Sequence, residues 1–128
     1  MIPDINIVRE KAKEMKRAIE PTDRTEGIIF KTLDHFYKEL VSKINNQLLL
    51  GMFANCKLEF WAIRAYVQNT LRFELEDDTY FLILDTLFRW VEVQYTYSGY
   101  RVFVKKIVGS KSNYARYYES YYRCQVRF

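Results

Sequence analysis

The chain is poor in the residues that mark most catalytic centres and most secreted scaffolds. It holds one histidine, two cysteines, two prolines and four glycines in 128 residues. Cys56 and Cys124 have neither a second cysteine nor a histidine at metal-ligand spacing, so no zinc site is expected. Two distant cysteines fit reduced thiols in an intracellular protein, with a single disulfide as the alternative. Gly27, Gly51, Gly99 and Gly109 build no phosphate loop, and no strand-turn-helix nucleophile elbow is present. Nucleotide-triphosphate and dinucleotide enzymes are therefore not expected, and no cofactor is called for. His35 stands among Lys31, Asp34, Lys38 and Glu39, the setting of a solvated surface histidine rather than a general base in a cleft. The opening Met1-Ile2-Pro3-Asp4 lacks the basic region and apolar run of a secretory signal. The longest charge-free stretch, Ile44 to Cys56, has 13 residues with three asparagines and a glutamine, too short and too polar to cross a bilayer. The expectation is an intracellular protein, neither secreted nor transmembrane.

Aromatics and late positive charge are what the chain has in quantity. Hydrophobic residues make up 49% and aromatic residues 17%, enough to build a core and to argue against disorder. The length suits a single domain, residues 1–128. Charge is polarised along it. From Ser98 to Phe128, Arg101, Lys105, Lys106, Lys111, Arg116, Arg123 and Arg127 face one acid, Glu119, a net of +6. Met1 to Tyr97 carries 13 basic and 15 acidic residues, a net of −2. Six of the 11 tyrosines also lie in the basic end. That polarity points to an anionic partner.

Periodicity predicts a helical part, residues 1–51, and a mainly sheet part, residues 52–128. Ile5, Val8, Ala12, Met15 and Ile19 form a helical stripe after a cap at Asp4, ended by Pro21. Ile29, Leu33, Phe36, Leu40, Ile44 and Leu48 form a second stripe, with Gly51 as its stop. Cys56–Gln68 fits helix or strand. Leu71, Phe73 and Leu75 alternate with Arg72, Glu74 and Glu76, and after a turn at Asp77-Asp78 the residues Tyr80, Leu82 and Leu84 can pair back. Trp90–Ile107 reads as a hairpin about Ser98-Gly99 that sets Tyr97 against Tyr100, Val93 against Val104 and Glu92 against Lys105. Gly109 and Ser110 break the sheet, Tyr114–Tyr122 is helix or strand, and Tyr122–Phe128 alternates as a final strand. The expected fold is α+β: two N-terminal helices packed on an antiparallel sheet of four to five strands.

Three functions compete. In the hairpin Arg101, Phe103 and Lys105 share a face, and Arg123, Gln125 and Arg127 give the last strand a similar one. A ring flanked by cations on an open sheet suits base stacking and phosphate contact. The favoured reading is a small non-catalytic protein that docks nucleic acid or a nucleoprotein assembly, as an accessory protein of a virus or mobile element would. Its contact residues are Arg101, Phe103, Lys105, Lys106, Lys111, Arg116, Tyr117, Tyr121, Arg123 and Arg127. The second is a protein–protein or self-assembly module, since tyrosine and arginine also anchor protein interfaces and a tyrosine-rich terminal strand can pair with a neighbour's sheet edge. The third is a Mg²⁺-dependent nuclease. Glu74, Glu76, Asp77 and Asp78 cluster at one turn, and Asp85 followed by Glu92-Val93-Gln94 resembles the restriction-endonuclease-like pattern, whose carboxylates hold Mg²⁺.

Overall fold

In the computed structural model, which describes residues 2–11, 23–110 and 117–128, the long apolar stripe after residue 23 becomes helix α1, Asp23–Leu49. Ile29, Leu33, Phe36, Leu40 and Ile44 are almost fully buried at a spacing of about one turn, while Lys31, Asp34, Lys38 and Glu39 face water. At 27 residues the helix is about 40 Å long. Gly51, at φ +76, ends it; the requirement is conformational, since no atom lies within 4 Å of where a Cβ would stand. Residues 5–11 are also helical, and Arg9 stands 5.7 Å from the Phe30 ring of α1. The rest of the first predicted stripe, with Pro21, lies outside the described residues.

The segment that fitted either helix or strand contains both. Strand β1, Ala54–Glu59, alternates buried and open residues, and helix α2, Phe60–Ala65, follows at once and closes in a π-helical turn, Tyr66–Thr70. Gln47 of α1 covers the outer edge of β1. Its carboxamide donates to the Asn55 carbonyl (2.9 Å) and accepts from the Asn55 amide (2.9 Å), standing in for a further strand. Helix α3, Asp77–Tyr97, then leads to strands β2, Arg101–Ile107, and β3, Tyr121–Arg127.

The architecture is α+β with a three-stranded antiparallel sheet in the order β1-β3-β2, which corrects the expected four to five strands. The C-terminal strand is therefore central and is not an edge. Cys56 stands directly opposite Cys124, and both are free and buried. Helices α1 and α3 pack on one face of the sheet, and Ile44, Phe60, Ile83, Leu84, Leu87, Phe88, Val91, Cys124 and Val126 belong to one core cluster. The Tyr95 hydroxyl ties α3 to α1 by donating to Asn45 Oδ1. Among the described residues no helix is long and apolar enough to cross a membrane.

Two predicted strand pairs are absent for separate reasons. Arg72 takes φ 54, a left-handed conformation that interrupts an extended run, and Phe73 N–H donates instead to the carbonyl of Val67, within the π turn. Leu75 N–H donates to the Tyr80 hydroxyl. The stretch Val91–Tyr97 is the end of α3. Its buried residues Tyr80, Ile83, Leu84, Leu87, Phe88, Val91 and Tyr95 keep a helical period throughout. The alternation seen in the last seven residues counted Val93 and Tyr97, which point to solvent at 61% and 73% exposure. Ser98-Gly99 makes the helix end: Ser98, Gly99 and Tyr100 donate to the carbonyls of Gln94, Thr96 and Tyr95. The cross-strand partners expected for Val93 and Tyr97, and the Glu92–Lys105 pair, are accordingly not formed; β2 pairs with β3.

The helical assignment has a direct check. Val91→Lys places a charge at a fully buried position and is expected to cost about 4 kcal/mol or more, whereas Val93→Lys is expected within about 0.5 kcal/mol of the parent, read from denaturant midpoints. Equal costs would restore the hairpin.

Candidate functional site

Side chains alternate strictly along β3. Tyr122, Cys124 and Val126 are buried against the helices, so Tyr121, Arg123, Gln125 and Arg127 must point the other way. Register carries this parity to both neighbours. Asn55, Lys57 and Glu59 of β1, and Arg101, Phe103, Lys105 and Ile107 of β2, stand opposite those outward positions. No described element covers this face. Its members are exposed or half-buried, with Phe103 at 50% and the adjoining Phe53 at 42%.

Read across the three strands, the face is a grid. One row is Glu59, Tyr121 and Ile107. The next is entirely cationic, Lys57, Arg123 and Lys105. The third carries two carboxamides and a ring, Asn55, Gln125 and Phe103. In the fourth Arg127 faces Arg101, and Phe53 closes the row, its ring 5.7 Å from the Arg127 guanidinium. Five cations thus share the face with one carboxylate, Glu59.

Some of these groups are held and others are not. Lys57 lies 3.6 Å from Glu59 and 4.2 Å from the Tyr121 ring. Arg127 Nε donates to Gln125 Oε1 (2.6 Å), its guanidinium lies 4.6 Å from the Phe103 ring, and Gln125 Nε2 donates to Asn55 Oδ1 (3.2 Å). Among the described residues Arg101, Lys105 and Arg123 have no ion pair, side-chain hydrogen bond or ring contact. Like charges directly opposite one another weaken a sheet, so the rows Lys57-Arg123-Lys105 and Arg127-Arg101 work against the fold that carries them.

The residues singled out by sequence divide into three groups. Arg101, Phe103, Lys105, Tyr121, Arg123 and Arg127 come together on the open face. Lys106 and Tyr117 do not. Lys106 falls on the inward parity of β2, where its ammonium donates to Asp85 Oδ1 of α3 (2.8 Å) beside the Tyr122 ring. Tyr117 is buried in an aromatic cluster around Phe60, 5.7 Å from that ring, with Tyr118 at 5.5 Å. Lys111 and Arg116 lie outside the described residues. Sequence reading missed Lys57, Asn55 and Phe53 because β1 lies far from the basic end. The signal was present, as Ala54, Cys56 and Leu58 alternate with Asn55, Lys57 and Glu59.

A second polar feature lies on the helical side. A cleft of about 450 Å³ between α3 and β2 is lined by Asp85, Arg89, Glu92, Trp90, Val104 and Lys106. Asp85 there accepts from both Lys106 and the Tyr122 hydroxyl (2.7 Å). Burial first, and then that hydrogen bond, push the Tyr122 hydroxyl pKa up. Asp85 and Glu92 sit two turns apart on α3, not on neighbouring strands, and Glu74 and Glu76 precede the helix. Among the described residues no group of three His, Cys, Asp or Glu side chains is placed to hold a metal ion. Compared with protein-family models, curated proteins and solved structures, the chain matches none.

The buried inner side of the sheet sets an alkaline limit. Burial pushes the Cys124 thiol from 9.0 up to about 12, and the Tyr95 hydroxyl from 10.0 up to about 12. Both are neutral acids that the fold keeps protonated. Between the lower and upper values the unfolded chain binds fewer protons, so stability is intact below about pH 9 and falls as pH rises toward 12. Denaturation from about pH 8 to about pH 11 is expected to show this fall, and Cys124→Val is expected to make it shallower. A flat profile in the parent would contradict the burial of these groups.

Proposed function

We propose that the open sheet face is a docking surface for nucleic acid and that the chain is a non-catalytic binding protein. The observation that carries this reading is the placement of Lys57, Arg123 and Lys105 directly opposite one another, with Arg101 opposite Arg127, beside exposed rings. Sheet stability alone selects against such rows. An anionic ligand removes the repulsion by placing phosphates between the cations, and the counterions it releases add to the affinity. A ring and two carboxamides set between two cationic rows suit a ligand that alternates phosphate with aromatic base.

Charge and stability must then respond in opposite directions at Arg123. Binding of labelled oligonucleotides at about 50 mM salt is expected, with a log–log salt slope of at most about −3.5 on a single strand or −4.5 on a duplex if all five cations engage. Arg123→Thr is expected to make that slope shallower by about 0.7 to 0.9 and to weaken binding. The same change is expected to raise folding stability by about 0.2–1 kcal/mol, because it removes two like-charge contacts. Absence of binding at about 50 mM salt, or unchanged binding in Arg123→Thr, would overturn the reading.

A further inference from the structure

Resting on that reading of the open face, we infer that its ligand is a single strand, with a base stacked on Phe103 between two phosphate-binding rows. Successive rows of a sheet face are two residues apart, about 6.6 Å, so the two cationic rows lie about 13 Å from each other. The row between them holds the groups that suit bases rather than phosphates. Phe103 is half exposed at 50%, on a sheet face that no described element covers. The Arg127 guanidinium lies over the ring, 4.6 Å from its centroid, and is itself a plane on which a base can lie.

The neighbouring carboxamides are ordered before any ligand arrives. Arg127 donates to Gln125, Gln125 donates to Asn55, and Gln47 grips the Asn55 main chain from the outer edge of the sheet. That relay of donors leaves Asn55 Nδ2 with no hydrogen-bond partner among the described residues, in the same row as Phe103 with Gln125 between them.

A duplex makes poor use of this row. In a double helix the bases are stacked on one another, so a ring on a sheet face reaches them only by entering a groove and prying a base step apart, at a cost in stacking energy. In a single strand the bases splay, and each has a π-face for an aromatic platform. A strand that places phosphates on both cationic rows lays the intervening base over Phe103. Phe53 and Tyr121 flank that path at its two ends and extend the apolar contact.

The test measures Phe103→Ala against three labelled probes at fixed salt. These are an oligo-dT of about twelve nucleotides, the same strand annealed to oligo-dA, and an abasic strand of equal length. Single-strand binding is expected to weaken by about 5-fold to 150-fold in Phe103→Ala, with duplex and abasic binding unchanged, and Phe103→Trp is expected to restore it. Binding of all three probes with no effect of Phe103→Ala would leave the nucleic-acid reading standing and overturn the single-strand assignment. An equal loss on all three would also overturn it, since the ring would then act only on the shape of the face. If the parent binds none of the probes, the docking reading itself falls.

Discussion

The parity of the central strand governs the molecule. β3 buries Tyr122, Cys124 and Val126 and in doing so sends Tyr121, Arg123, Gln125 and Arg127 outward. A slip of one residue would drive two guanidinium groups into the core and expose the residues that now fill it. Because β3 is bonded on both sides, its parity is imposed on β1 and β2 as well. Core and charged face are two readings of the same alternation, and neither can be altered without the other.

Lys106 shows how firmly that rule holds. It follows Lys105 directly, so it falls on the helical side of the sheet, where it stays half exposed in the cleft beside α3. The fold accommodates the cation by meeting it with Asp85, which also accepts from the Tyr122 hydroxyl. Residues adjacent in sequence thus have opposite fates. Lys105 is an unpaired cation in a like-charged row, and Lys106 is a neutralised one at the rim of the core. Counting basic residues along the chain cannot separate them, whereas strand parity does.

What could be read from the sequence was local and periodic. The stripe of α1 and the alternation of β2 and β3 each repeat often enough within one element to identify it, and the outward set Arg101, Phe103, Lys105, Arg123 and Arg127 follows from that alternation alone. Helix α3 was misread where two periods coincide. Val91 and Tyr95 satisfy both a helix and a strand, and Ser98-Gly99 serves equally as a helix terminus or a hairpin turn. Only the longer window back to Tyr80 separates them. Arg72 was illegible for another reason: nothing in an arginine announces a left-handed backbone. The contribution of β1 to the face was hidden by topology, since pairing of the second segment of the chain with the last is a tertiary fact.

Chain order and sheet order together explain why charge gathers late. Two of the three strands come from the basic end, and the third brings only Lys57 and Glu59 as charged groups. Helices α1 and α3 carry half of the acidic residues and lie on the opposite side, so the division between a neutral body and a basic end in sequence becomes largely a division between two faces of one sheet. The repulsion within the rows is tolerable because the cations are solvated and screened, which keeps the cost of each pair small. On the proposed docking reading the same screening would make the face responsive: replacing loosely held counterions by a covalently linked row of phosphates changes the free energy far more than any single ion pair on that surface could.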